Sequence, residues 1–197
     1  LMILYDGQEH FVDKTGRICS DARYAYIVSE KELNETMEYV SNFSLYAFEE
    51  ELRQGYITIR GGHRVGIVGK TVLEHGCVKL LRYISSINIR LSHQIKGCGQ
   101  VVLPYIEGER GNYHTIIISP PGCGKTTLLR DLVRLISEGG LRRRGKTVGV
   151  VDERSEIAAC YMGIPQNDLG IRTDVLDGCP KAEGIQMLIR SMAPEVI

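Results

Sequence analysis

Short alternating runs of apolar and polar residues fill the first half of the chain, and longer apolar segments take over in the second. Met2-Ile3-Leu4-Tyr5 and His10-Phe11-Val12 flank Asp6-Gly7, a dipeptide that accepts the positive φ angles of a tight turn, so this stretch predicts a hairpin. Ser29 followed by Glu32 is a capping-box pattern, with Leu33, Met37 and Val40 at helical spacing behind it. A second helix is expected from Ser44 to Arg53, stopping at Gly55, the residue type most tolerant of a left-handed terminus. Tyr56-Ile57-Thr58-Ile59, the turn Gly61-Gly62 and Val65-Gly66-Ile67-Val68 read as a glycine-rich meander of strands.

Past residue 110 the pattern changes. Thr115-Ile116-Ile117-Ile118 is a β-branched run suited to a strand buried on both faces. A glycine-proline loop, a helix from Thr126 to about Ser137, a Gly139-Gly140 stop and a second apolar run from Thr147 to Val151 follow. Strand, loop, helix and strand in this order predict a βαβ unit and a parallel sheet. A long polar segment then carries Arg154, Glu156, Arg172 and Asp174. Ile185, Leu188, Ile189 and Met192 predict a last helix, ended by Pro194, and Val196-Ile197 open a third strand. The polar linker Glu107-Gly108-Glu109-Arg110-Gly111-Asn112 divides an α+β N-terminal domain (1–110) from an α/β C-terminal domain (111–197).

Composition narrows the classes. The 197 residues carry 24 Lys+Arg against 24 Asp+Glu, so no global charge draws the chain to nucleic acid or an anionic membrane. Six cysteines are scattered without a CxxC pair, which argues against zinc and a disulfide framework and for a reducing compartment. No apolar run approaches the roughly 20 residues that span a bilayer, and Leu1 to Tyr5 is too short for a signal peptide. The chain begins on Leu1 and ends on Val196-Ile197, and it reads as cut from something longer at both ends.

Ser119-Pro120-Pro121-Gly122-Cys123-Gly124-Lys125-Thr126 carries the strongest chemistry. A loop wrapping a triphosphate must turn tightly and aim successive N–H groups inward. Gly122 and Gly124 permit this, and a following helix adds the positive end of its dipole. Pro121, Gly122, Cys123, Gly124, Lys125, Thr126 and Thr127 are therefore candidate ATP-binding residues. Lys125 would reach the β- and γ-phosphates, and the Thr126 hydroxyl would hold Mg²⁺. The bland alternative is a chance glycine turn before a helix. Ser119 stands where the motif usually has glycine.

Val148-Gly149-Val150-Val151-Asp152-Glu153 ends an apolar strand in two carboxylates. In one reading Asp152 holds the metal and Glu153 is the catalytic carboxylate that polarises water. In another both are solvated charges at a strand end. A third makes them a supplementary acidic pair facing the γ-phosphate, with the metal-holding Walker B acid on the strand that Val196 opens, just past residue 197.

These segments, with Ser44-Leu45-Tyr46-Ala47, Gly55-Tyr56-Ile57-Thr58, Gly61-Gly62-His63-Arg64-Val65-Gly66, Thr127-Leu128-Leu129-Arg130-Asp131 and Asp152-Glu153-Arg154-Ser155-Glu156-Ile157-Ala158, resemble the stage III sporulation protein AA family. These are ATPases of endospore-forming bacteria, related to type II and type IV secretion ATPases, and the resemblance covers nearly the whole chain. It implies an α/β fold with a C-terminal P-loop NTPase of the RecA/AAA type, incomplete at its C-terminal end, behind a smaller α+β domain. It also implies a homo-oligomer, a hexameric motor that is cytoplasmic and peripheral to the membrane on the mother-cell side. Such a motor would power a channel of membrane proteins of the sporulation apparatus. The secretion relatives carry an acidic box, then a helix with Arg and Pro, then Walker B. Asp152-Glu153 and Leu188-Ile189-Arg190-Ser191-Met192-Ala193-Pro194 match the first two.

Other charges have plainer readings. Arg142-Arg143-Arg144-Gly145-Lys146 suits a solvated loop, with a phosphate-rich partner or a neighbouring subunit as the alternative. Arg154, Arg172 and Arg190 are candidates for an arginine acting across a ring interface, against a default of surface pairing. His63 fits a packing or turn role, because no second ligand stands at metal-binding spacing. Two competing functions remain. One is a nucleotide-dependent single-strand nucleic-acid module, disfavoured because no basic stripe is interleaved with aromatics. The other is an ATP-binding scaffold without turnover.

Overall fold

A computed structural model describes residues 1–42, 48–53, 55–109, 111–140 and 143–197. The start of the helix expected from Ser44, the Ser44-to-Ala47 segment, Arg110 and Arg142 lie outside the described residues. The chain forms two compact units, Leu1–Ile57 with Gly66–Asn88, and Thr58–Val65 with Ile89–Ile197. The polar segment 107–112 falls inside the second unit.

In the first unit, β1 (Met2–Tyr5) and β2 (Gln8–Val12) pair antiparallel around Asp6-Gly7, both at positive φ, and β3 (Ile18–Cys19) adds to β2. Helix α1 (Glu30–Val40) starts with the full capping box: Ser29 Oγ accepts from the Glu32 N–H, and the Glu32 carboxylate accepts from the Ser29 N–H. Helix α2 (Glu49–Arg53) follows. The meander is longer than its glycines suggested. Strands β4 (Tyr56–Ile59), β5 (His63–Glu74) and β6 (Cys77–Arg90) form one sheet in that order.

The second unit opens with α3 (Leu103–Ile106) and the two-residue strands β7 (Glu107–Gly108) and β8 (Gly111–Asn112), which pair antiparallel. Helix α4 (Lys125–Glu138) is followed by a second small pair, β9 (Gly139–Gly140) and β10 (Arg143–Arg144). Strand β11 (Val148–Asp152) is the middle of the arrangement. It pairs parallel with β12 (Thr173–Asp177) from Val148↔Thr173 to Asp152↔Asp177, and on its other edge Val148 bridges Val196, also parallel. Val133, Val148, Val150, Ala158, Cys160 and Leu169 form the core, with Ile136, Ile157, Val175 and Val196 packed against it.

Helix α5 (Lys181–Ser191) lies close on β11 because glycines face each other's elements. A Cβ on Gly184 would meet Val151 Cγ1 at 2.5 Å, and one on Gly149 would meet Leu188 Cδ1 at 2.9 Å. Asp131 and Arg134 of α4 are buried as a pair, with Arg134 Nη2 donating to Asp131 Oδ1 over 2.7 Å and the Gly99 N–H donating to Oδ2 over 2.7 Å.

Two expectations are corrected. Residues 115–118 are not a buried strand: the segment joins no sheet, and Ile116 and Ile118 are 83% and 86% exposed. A β-branched run becomes a strand only where a partner strand pairs with it, and the parallel partner of β11 is β12 instead. The expected polar segment after Asp152 contains a strand instead. Asp174 is exposed while Val175 and Leu176 are half-buried, so β12 is an edge strand whose charges hide its period. Among the described residues, no helix is long and apolar enough to cross a membrane.

Candidate functional site

Helix α4 begins at the glycine loop because only glycine comfortably holds its N-terminal geometry. Gly124, the N-cap, has φ 78° and Gly122 has φ 74°, both left-handed. Open space surrounds a Cβ at either position, so backbone conformation and not crowding selects glycine here. Lys125 opens the helix and curls its ammonium back over the loop, donating to the carbonyls of Ser119 and Pro120, both at 2.8 Å. Thr126 and Thr127 are half-buried, whereas Pro121 and Cys123 are exposed. Lys125 also donates to the Ser119 hydroxyl at 3.3 Å, so these contacts are all with neutral oxygens, which an anionic ligand would outcompete.

A cleft of about 250 Å³ lies beside this loop. Lys125, Thr126 and Leu129 line one part, Val151, Asp152, Glu153, Arg154, Glu156 and Ile157 line another, and Ile117 and Lys181 complete it. The glycine loop and the acidic strand end therefore share one cavity, although they are separated in sequence by a whole helix.

Asp152 and Glu153 play different parts within it. Asp152 is 3% exposed, and both its oxygens are engaged: Oδ1 accepts from the Glu156 N–H and Oδ2 from the Ile157 and Ala158 N–H groups, each at 2.8 Å. Three amides on one carboxylate bend the chain back after β11 and leave little acceptor capacity for a metal. Glu153 is exposed and pairs with Lys181, whose hydrogen bond and charge hold the carboxyl below its ordinary value.

The loop after β11 is tied down from two further sides. Arg130 of α4 donates to the carbonyls of Ile157 (2.9 Å) and Glu156 (2.8 Å). Arg64 of β5 donates to the Arg154 carbonyl and lies 4.0 Å from the Glu156 carboxylate. In the same unit Gln166 Oε1 accepts from the Gly61 N–H at 2.8 Å. At the strand ends Asp177 stands in register with Asp152. Lost hydration raises the Asp177 carboxyl above its ordinary value, and the Asp152 charge adds to this against hydrogen bonds from Ser155 and Cys160. Burial likewise pushes the Cys160 thiol up to about 12, helped by the charges of Asp177 and Asp152.

Several sequence candidates resolve into structural parts. Arg172 binds Ser137 twice, through its N–H to Oγ at 2.8 Å and its guanidinium to the carbonyl at 3.0 Å. His63 Nδ1 accepts from the Ser92 N–H at 3.0 Å, a turn-holding contact. Arg144 pairs with Glu195, and Arg190 is exposed on the last turn of α5. Among the described residues no cluster of three or more His, Cys, Asp or Glu could hold a metal by itself. Reading the sequence missed Lys181, Arg130 and Asp177. Asp177, closing a Val-Leu pair as Asp152 closes its own strand, was the one with a local signal.

The model of the family described as sporulation stage III, protein AA, matches residues 6–197. Stage III sporulation protein AA of Bacillus subtilis (strain 168) is 56% identical over 158 residues, which cover 80% of this chain and 51% of that protein. The chain thus spans about half the length of this relative (51%). The uncharacterized protein ycf45 of Cyanidium caldarium is 32% identical over 98 residues, 49% of this chain and 27% of that protein. No solved structure matches the chain. With its family model running from residue 6 to the last residue, the chain belongs to the sporulation stage III protein AA family and has its role in sporulation.

Proposed function

We propose that this chain binds ATP with Mg²⁺ at the loop 119–126 and hydrolyses it as a subunit of a ring-forming motor. One observation carries the reading: Lys125 and Thr126 share a single cleft with the Asp152-Glu153 strand end. Ligands of open α/β sheets collect outside the carboxyl ends of strands, and here a helix N-terminus and two carboxylates converge at such an end.

The residues present fit a nucleotide-borne magnesium ion better than a protein-caged one. Magnesium keeps several waters and shares few protein ligands when phosphates supply the rest. Thr126 is half-buried in the cleft and has a hydroxyl to give. Asp152 is committed to three amides, so its part is to shape the loop. Bound there, the ion would neutralise phosphate charge. Lys125 exchanges the Ser119 and Pro120 carbonyls for phosphate oxygens, the loop amides cradle the phosphates, and Glu153 orients a water for attack on the terminal phosphorus.

The secretion-ATPase relationship, a hexamer, a site on the mother-cell side of the membrane and channel proteins as partners come from the family resemblance and belong to the same proposal. A fluorescent ATP analogue tests the binding step. Lys125→Ala is expected to abolish its affinity and Glu153→Gln not to weaken it, while Glu153→Gln lowers turnover on the order of 10²-fold. Equal affinity in Lys125→Ala and the parent protein overturns the site.

A further inference from the structure

The cleft holds a second lysine. Lys181 is the first residue of α5, lines the same cavity as Lys125 and Thr126, and reaches across to the Glu153 carboxylate. Both partners of this pair are accessible, with Lys181 68% and Glu153 41% exposed at the side chain. Exposed ion pairs contribute little net stability, so Lys181 can leave Glu153 at small cost when a stronger anion arrives. A triphosphate terminus in the cleft is such an anion, since it offers several charged oxygens where Glu153 offers one carboxylate.

We infer that Lys181 reads the terminal phosphate: it exchanges its pairing with Glu153 for the γ-phosphate of a bound nucleoside triphosphate. The inference rests on the nucleotide reading above and adds a discrimination that Lys125 alone does not supply. A diphosphate occupies the loop 119–126 without extending to Lys181, so Lys181 stays on Glu153. A triphosphate draws Lys181 away and leaves the Glu153 carboxylate free to take a water. The pair therefore idles the carboxylate until the substrate is complete, and α5, which Lys181 opens, registers the change.

Charge and length select the partner. Lysine brings a compact point charge on a long flexible stem, suited to changing partners within one cavity. Arg154 lines the cleft too, but Arg64 holds its backbone carbonyl, so the chain at that position is anchored.

The experiment titrates Mg-ADP and Mg-ATPγS separately into the whole chain as wild type, Lys181→Met, Lys181→Arg, Glu153→Gln and the Lys181→Met/Glu153→Gln double variant, with Lys125→Ala as control. Lys181→Met is expected to lose on the order of 10-fold in ATPγS affinity with ADP unchanged, one charge-assisted contact being removed. Lys181→Arg recovers part of it. Glu153→Gln tightens ATPγS because Lys181 is released, and the gain vanishes in the double variant, a coupling that general damage to the fold would not produce. Equal weakening of both nucleotides by Lys181→Met, or no change in either, overturns the inference while the nucleotide site stands. Failure of the wild type to bind either nucleotide, or full binding by Lys125→Ala, overturns both readings.

Discussion

Asp152→Ala separates a loop-shaping carboxylate from a metal ligand. The substitution strips the acceptor from the N–H groups of Glu156, Ile157 and Ala158. A hydrogen bond to a charged group is worth about 1.5–3 kcal/mol, so three lost bonds bound the effect at about 4.5–9 kcal/mol. Water replaces part of this at Glu156, which is exposed, and at Ile157, which is half-buried. It cannot do so at Ala158, which is 0% exposed. The expected loss is therefore about 3–5 kcal/mol for Asp152→Ala. For Asp152→Asn it is about 2 kcal/mol, because the amide oxygen still accepts on one side while its NH₂ opposes an N–H on the other. The chain has no tryptophan, so urea unfolding in magnesium-free buffer is followed by far-UV circular dichroism. A metal ligand would behave oppositely, since its removal without metal relieves repulsion with Asp177. If Asp152→Ala unfolds within about 0.5 kcal/mol of the parent, the span of an ordinary surface substitution, the loop-shaping role is refuted.

Three further outcomes follow from the packing and the charges. Burial alone would raise the Asp131 carboxyl, but the N–H groups of Gly99 and Gly97 and the Arg134 guanidinium bring it below its ordinary 3.8. Its stabilisation is therefore present above that unfolded value and is lost as pH falls through the lower folded one. Asp131→Asn should cost about 3 kcal/mol at neutral pH and flatten acid unfolding in that window, as measured by circular dichroism against pH. Cys160, buried and with its thiol pushed up to about 12, should resist iodoacetamide at pH 8 while exposed Cys123 and Cys77 react, as read by peptide mass spectrometry. Gly184→Ala should destabilise by about 1–3 kcal/mol in urea melts despite its better helix propensity, because both methyls of Val151 stand in the way.

What the sequence made legible is what residues decide among close neighbours. The capping box at Ser29 and Glu32, the Asp6-Gly7 hairpin and the left-handed glycines before α4 each need only a few consecutive positions. Residues 115–118 were misread because a β-branched run announces its preference but not whether a free edge awaits it. Strand β12 was missed since Asp174 and Asp177 break an apolar pattern that only pairing with β11 makes intelligible. The acidic pair shows the same limit within the site. Asp152 and Glu153 are indistinguishable as adjacent carboxylates, and burial against three amides on one side and a lysine 28 residues away on the other gives them separate roles.

The most direct measurement of the central claim is a crystal structure of the chain grown with Mg²⁺ and a non-hydrolysable ATP analogue. The account predicts triphosphate density against the amides of 122–126, in the cleft that Thr126, Glu153 and Lys181 line. It predicts that Lys125 Nζ will have left the Ser119 and Pro120 carbonyls, its partners at 2.8 Å, for phosphate oxygens. Nucleotide bound elsewhere, or a lysine still resting on those carbonyls beside a bound triphosphate, would contradict it.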